Sequence, residues 1–138
     1  MRKMSEAEVM VEISKASVFS NTYLKAHEDI KELFKKLASE SSIYSCNKKG
    51  YAKNMAETGY RLAKPYSTGM KIQNYCMYSI LSNQIIIDIR TDRKPISSET
   101  LDLVNRGKCF SGGDEWHRFR ISKDSDLPET LRLIKYCY

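Results

Sequence analysis

The sequence has few of the residues that bind metals or crosslink chains. Among its 138 residues there are four cysteines and two histidines. The cysteines are far apart, without CxxC or CxxxC spacing, and neither histidine lies at a metal-ligand spacing from them. Structural zinc sites usually show close ligand pairs, and disulfide frameworks belong mainly to secreted chains. We therefore expect reduced thiols, no metal and no cofactor. The cysteines are Cys46, Cys76, Cys109 and Cys137.

Long hydrophobic runs are missing as well. No apolar stretch approaches the roughly 20 residues that cross a bilayer. The N-terminal stretch MRKMSEAEV becomes acidic where a signal peptide would have its apolar segment. These features predict a cytoplasmic protein without membrane contact.

The charge of the chain is unevenly distributed. The net charge is +6. Residues 1–45 hold seven basic and seven acidic residues, and residues 95–138 also hold seven of each. Residues 46–94 hold nine basic residues against three acidic ones, so the whole excess lies in this middle third. Such a segment favours a phosphate-bearing or acidic partner, and a generally basic surface without a specific partner is the alternative.

Apolar residues at helical spacing predict three helices in the N-terminal half. Ser5 and Glu8 fit a capping box that begins a helix over residues 6–17. A second stripe predicts a helix over residues 22–39. Pro65 should end a third helix, since proline interrupts the helical hydrogen bonds. The stripe of that third helix consists of Tyr51, Met55, Thr58 and Leu62.

A β-hairpin is predicted over residues 70–91. Two runs rich in strand-forming residues flank the turn-forming pair Ser82-Asn83. The second run alternates, so Asp88 and Arg90 should point away from the core. Its core face should consist of Ile85, Ile87 and Ile89.

Two more helices are predicted after the hairpin. Ser97 or Ser98 can cap a short helix that continues to Asn105. Ser125 or Asp126 can cap a closing helix, with Pro128 in its first turn. The apolar stripe of the closing helix consists of Leu127, Leu131, Ile134 and Tyr138.

These elements predict a single α+β domain over residues 1–138. Residues 1–66 should be mainly helical, and residues 67–138 should contain the hairpin, a helix, a strand and the closing helix. The N-terminal helices should pack on a small antiparallel sheet, and the C-terminal helix should complete the domain.

The stretch FSGGDEWHRFRI, residues 110–121, is dense in polar, aromatic and glycine residues. Its glycine pair permits a tight turn, and the residues after it alternate as in a strand. Phe119 and Ile121 should then be core residues. His117 lies at the end of that same face, which indicates a half-buried structural histidine.

The other face of this predicted strand is a candidate contact surface. It carries Trp116, Arg118 and Arg120, and Arg90 joins it if the strand neighbours the hairpin. An aromatic and basic row of this kind can contact phosphates and stack bases. The alternative is that a helix covers the face, or that Trp116 packs on the arginine stems.

Catalysis is not predicted. Glu115 and His117 could share a face, but no nearby nucleophile has a recognisable context. Asp88 and Asp92 could together hold Mg²⁺, but in an ordinary hairpin they are expected to be solvated. The patterns GxxxxGKS/T, GxGxxG and HExxH are absent.

Three segments of the C-terminal half occur in an order that is typical of one family. They are the strand pair KIQNYCMYSILSNQIIIDIRT, the glycine turn and strand LVNRGKCFSGGDEWHRFRIS, and the closing helix DSDLPETLRLIKYCY. In this order, residues 70–138 resemble the DUF5655 domain family of unknown function. The resemblance implies no catalytic residues. Some members lie beside nuclease-like or restriction-associated domains, which implies a binding role near nucleic acid.

Two functions are therefore predicted. The first is a non-catalytic, nucleic-acid-associated accessory or binding domain whose affinity falls with salt. The second is a small protein-interaction module, an inhibitor or adaptor, that binds an acidic protein surface with its nine tyrosines and one tryptophan as interface aromatics. The residues predicted to contact either partner are Lys48, Lys49, Lys53, Arg61, Lys64, Arg90, Arg93, Trp116, Arg118 and Arg120.

Overall fold

A computed structural model describes residues 2–46, 59–66, 71–110 and 112–138 of the chain. Its α-helices are α1 (Glu6–Ser14), α2 (Ser17–Lys25), α3 (Glu28–Ser41) and α4 (Leu127–Cys137), with short 3₁₀ turns at Ser42–Tyr44 and Asp124–Asp126. Its strands are β1 (Tyr60–Tyr66), β2 (Lys71–Ile80), β3 (Ile85–Arg90), β4 (Val104–Gly107) and β5 (Trp116–Ile121). All neighbouring strands pair antiparallel in the order β1-β2-β3-β5-β4. The predicted α+β class is therefore confirmed.

In residues 2–46, three short helices take the place of the two that were predicted there. The capping box is present, since the Glu8 backbone N–H donates to Ser5 Oγ and the Ser5 N–H donates to Glu8 Oε1, both at 3.1 Å. The predicted helix over residues 22–39 is wrong at its start, because Ala26 and His27 are extended and separate α2 from α3. Leu24 lies just before this break and is 61% exposed.

Strand β1 replaces part of a predicted helix. The first part of the helix predicted before Pro65 lies outside the described residues. Its last part is wrong, since residues 60–66 are extended. Tyr60 and Leu62 are buried while Arg61 between them is not, which is the alternation of a strand. Pro65 is tolerated because β1 is the outermost strand, where a missing N–H removes no ladder bond.

The β2–β3 hairpin is confirmed, and the helix predicted after it is wrong. Its turn is closed by a hydrogen bond from Leu81 N–H to Gln84 O at 2.9 Å. Ser98 does act as a cap acceptor, because Leu101 N–H donates to its Oγ at 3.0 Å. No helix follows, since Val104 begins β4 instead. Pairing of β4 with β5 outweighs the local helical preference of this segment.

The hydrophobic core lies between the helices and one face of the sheet. Phe34 of α3 packs against Tyr60 of β1 and Tyr78 of β2, with ring centroids 5.4 and 6.4 Å apart. The buried stripe of α4 lies about one residue earlier than predicted. Leu133 is fully buried, whereas Tyr138, which was predicted to belong to the stripe, is 43% exposed. Among the helices of the described segments, none is long and apolar enough to cross a membrane.

Candidate nucleic-acid interface

The sheet has a second face, opposite the core, on which the strand registers align two rows of side chains. The first row consists of Arg61, Met77, Asp88, Arg118 and Val104. The second row consists of Ser79, Ile86 and Arg120. Because successive side chains of a strand alternate, these residues point away from the helices.

We call this second face the open face because several of its side chains reach solvent. Tyr78 and Ile87 on the core face are 0% exposed. Their neighbours Met77 and Ile86 on the open face are only half-buried, and Val104 is 47% exposed. The open face therefore offers a partly apolar surface with arginines around it.

Asp88 and Arg118 form a buried ion pair within the open face. Arg118 Nε donates to Asp88 Oδ1 at 2.8 Å, and Arg118 Nη2 donates to Asp88 Oδ2 at 3.2 Å. The Asp88 side chain is 3% exposed and that of Arg118 is 24% exposed. The expectation of a solvated Asp88 is wrong, because this bidentate contact satisfies the carboxylate beneath the guanidinium. The hydrogen bond to Asp88 raises the pKa of Arg118 above its ordinary value.

A shallow depression, which we call the arginine pocket, lies where β4 meets β5. Its volume is about 220 Å³. It brings Arg106 of β4 beside Arg118 and Arg120 of β5, and its other lining residues are Asp102, Val104 and Phe119. The β4–β5 register shifts between Asn105 and Gly107, so Arg106 is the extra residue of a bulge. Arg106 and Arg120 are both exposed.

Trp116 lies on the predicted face but cannot serve as a stacking platform. It is 3% exposed. Its indole Nε1 donates to Gly112 O at 2.8 Å. The Phe110 ring packs edge-on against the indole, with ring centroids 4.9 Å apart. The predicted row of Trp116, Arg118 and Arg120 must be corrected in this respect, because the loop after β4 folds over the tryptophan.

The Arg90 side chain is engaged in contacts within the fold and does not contribute to a basic surface that a partner could reach. Its Nε donates to Asp92 Oδ2 at 2.7 Å, and its Nη1 donates to Gln73 Oε1 at 2.8 Å. Its guanidinium carbon lies 3.8 Å from the centre of the Tyr66 ring. Gly113 has φ +81° and approaches so closely that a Cβ there would lie 2.3 Å from Arg90 Nε. Any other residue at position 113 would clash with the Arg90 side chain and would be strained at this φ, so glycine is needed here.

Two lysines of the basic middle third bind the end of helix α4. Lys64 donates to the backbone oxygen of Cys137, and Lys94 donates to that of Tyr136 at 2.7 Å. Both contacts satisfy carbonyls that the last turn of a helix leaves unpaired. Burial lowers the pKa of Lys64. Part of the charge excess that suggested a partner is thus used within the fold.

The rest of the predicted footprint has three outcomes. Lys48, Lys49 and Lys53 lie outside the described residues. Arg61 is half-buried on the open face, and Arg93 is exposed at the turn after β3 with φ +68°. Sequence reasoning missed Arg106 because the helix predicted up to Asn105 concealed strand β4. Val104, Asn105 and Arg106 are all exposed, so no apolar alternation signals this strand.

The acidic and histidine residues near this turn form a structural network. Thr91 Oγ1 lies 2.7 Å from Glu115 Oε1 and 3.0 Å from His117 Nδ1. The hydrogen bond from Thr91 lowers the pKa of Glu115, so the carboxylate accepts and Thr91 donates. His117 Nδ1 must then be the donor to Thr91 Oγ1. Asn105 Nδ2 completes the network at 3.1 Å from Glu115 Oε2.

This network gives no support to a hydrolytic site. Its only hydroxyl belongs to Thr91, which is 4% exposed. Across the described ranges, no group of three or more His, Cys, Asp or Glu residues could hold a metal ion.

No protein-family model, curated protein or solved structure matches the chain. The resemblance to the DUF5655 family stays a prediction.

Proposed function

We propose that this protein is a non-catalytic module that binds nucleic acid through the open face of its sheet. The observation that carries the proposal is the grouping of Arg106, Arg118 and Arg120 beside the partly exposed open face of the sheet. The role agrees with the cytoplasmic location and the accessory function predicted from the sequence.

Phosphates are the ligands that this arrangement suits best. Guanidinium groups bind phosphate oxygens through pairs of parallel hydrogen bonds. The half-buried Met77 and Ile86 offer an apolar surface between the arginines for sugars and bases. Because Trp116 is buried, stacking adds little and most of the affinity should come from the backbone. Binding should therefore depend weakly on base sequence and strongly on salt.

The test is a binding titration with labelled single- and double-stranded oligonucleotides of mixed sequence. We expect binding at about 50 mM salt. On B-DNA, log K should fall linearly with the logarithm of the salt concentration, with a slope of about −0.9 for each phosphate neutralised. Arg120→Glu should weaken binding and reduce the slope by about one contact. Lys25→Glu makes the same charge change on helix α2, which packs on the core face of the sheet and not on the open face, and should have less effect.

Two results would contradict this function. One is the absence of binding at low salt, and the other is equal weakening by Arg120→Glu and Lys25→Glu. If oligonucleotides fail and a stoichiometric protein is recovered from a nuclease-treated lysate through the same arginines, the alternative prediction of an acidic protein partner replaces this one.

A further inference from the structure

We propose that the arginine pocket is a subsite for one phosphodiester group, held by Arg106, Arg120 and the outward edge of Arg118. This inference rests on the proposed function, since it names the chemical group that the open face recognises. It also assigns a role to Asp88, which orients Arg118 and is therefore a positioning residue.

The orientation of Arg118 is fixed before any ligand arrives. A guanidinium has five N–H groups in one plane. Arg118 directs Nε and one side of Nη2 toward Asp88, so Nη1 and the second Nη2 proton point away from the carboxylate. The side chain is 24% exposed and lines the arginine pocket. A donor pair held in place by a buried partner loses little conformational entropy on binding.

The other two arginines are available to the same ligand. Both are exposed, and among the ion pairs of the described residues none involves Arg106 or Arg120. The β4 bulge places Arg106 beside Arg118 across the strand pair. Three arginines from two strands therefore line a single depression.

The charge of the pocket favours a monoanion. Three arginines face two carboxylates, those of Asp102 in the lining and Asp88 beneath Arg118, so positive charge exceeds negative charge by one. An internal phosphodiester carries one negative charge, whereas a terminal phosphate monoester approaches two at neutral pH. Asp102 should therefore favour the diester of a nucleic-acid backbone over a phosphorylated end.

The size of the pocket agrees with a small anionic group. Its volume of about 220 Å³ is below the roughly 300 Å³ at which pockets for complete small molecules begin. The pocket can hold one phosphodiester while the rest of the strand lies across Met77 and Ile86.

The experiment uses dimethyl phosphate as the diester probe and inorganic phosphate as the comparison. Amide signals of residues 104–107 and 118–120 are followed by NMR during each titration of the full chain. We expect saturable shifts in these signals with dimethyl phosphate and weaker binding of inorganic phosphate. Arg106→Ala and Arg120→Ala should each weaken diester binding about tenfold, as expected for loss of charge-assisted hydrogen bonds. Lys25→Ala serves as the control and should leave it unchanged.

Arg118→Lys removes the paired N–H donors of the guanidinium without altering the net charge. Lysine can pair with Asp88 as a point charge but has no second edge for a phosphate. We expect diester binding to fall about tenfold, whereas retained binding would overturn the role of Arg118. Thermal unfolding of the variant shows whether the fold is intact, and Arg120→Ala gives an independent answer at an exposed position.

The outcomes separate this inference from the function on which it rests. If oligonucleotides bind but dimethyl phosphate shifts none of these amides, the subsite is wrong and the function stands. If dimethyl phosphate binds in the arginine pocket but oligonucleotides do not bind, the function is wrong and the subsite stands. Stronger binding of inorganic phosphate than of the diester would overturn the argument from Asp102.

Discussion

At the scale of single residues, the two partners of the Asp88–Arg118 ion pair are unequally buried. Asp88 is 3% exposed, whereas Arg118 is 24% exposed. Loss of the arginine leaves a buried carboxylate without its counter-charge, whereas loss of the acid leaves a cation that can still reach water. The two partners therefore do not contribute equally to stability, although they share the same two hydrogen bonds.

We expect Arg118→Ala to lower the free energy of unfolding by about 3 kcal/mol, because breaking one side of a buried pair is strongly destabilising. Asp88→Asn in the Arg118→Ala background should restore at least half of the loss, since a neutral amide is cheaper to bury. Urea denaturation measures both variants. Equal instability of the single and double variants would show that the pair contributes mainly through packing.

Residue-level reasoning from the sequence succeeded for side chains whose role is fixed by alternation. Ile85, Ile87 and Ile89 follow the period of a strand and are 0% exposed. It failed for Trp116, whose burial depends on a loop that folds back onto it. The period of a strand assigns a face to each side chain, but it does not say what covers that face.

At the scale of elements, helix α4 depends on cations supplied by other parts of the chain. Lys94 donates to Tyr136 O at 2.7 Å and lies 3.9 Å from the centre of the Tyr136 ring. Lys135 lies in the same last turn but belongs to the helix itself. Cations near the last carbonyls of a helix stabilise it by partly neutralising its dipole.

We expect Lys94→Ala to destabilise the last turn of α4 by about 0.5–1 kcal/mol, through loss of the carbonyl contact and the dipole interaction. Lys135→Ala removes the same charge from the same turn and should cost less. Hydrogen exchange of the α4 amides measures the two effects. The role of Lys94 is refuted if both variants show the same change in protection.

Element-level prediction succeeded where one period dominates and failed where a segment is ambiguous. The β2–β3 hairpin has strand-forming residues on both sides of its turn and was predicted. The helices predicted up to Pro65 and up to Asn105 overlap residues that form the two outer strands, β1 and β4. Their strand state depends on pairing with the neighbouring strands β2 and β5, which the apolar spacing within each segment does not reveal.

At the scale of the whole molecule, the N-terminal helices and the sheet share one core. Phe19 of α2 lies 5.5 Å from Phe34 and 6.2 Å from Tyr60 of β1, measured between ring centroids. Phe34 in turn contacts Tyr78 of β2. The helical segment therefore lacks a hydrophobic core separate from that of the strands.

We expect urea to unfold the chain in a single cooperative transition, because small domains with one core behave as two-state systems. Far-UV circular dichroism reports the helices, and fluorescence of the buried Trp116 reports the β5 end of the sheet. The two curves should have the same midpoint. Separate midpoints would mean that residues 1–46 unfold independently of the strands.

The candidate site was only partly predictable at this scale. Charge counting correctly found a basic middle third, but Lys64, Arg90 and Lys94 are engaged within the fold. The arginine pocket draws on Arg106, Arg118 and Arg120, from a segment whose charges balance in the sequence. Counting charges along the chain cannot reveal which of them the sheet brings to one side.

The two outer strands also determine whether the sheet can pair edge to edge with the sheet of another copy of the chain. An exposed strand with free N–H and C=O groups is a template for fibril growth and strand exchange. Here β1 contains Pro65, which lacks the N–H, and β4 is four residues long and interrupted by its bulge. The irregularity that places Arg106 beside Arg118 thus also protects the protein against aggregation through its edges.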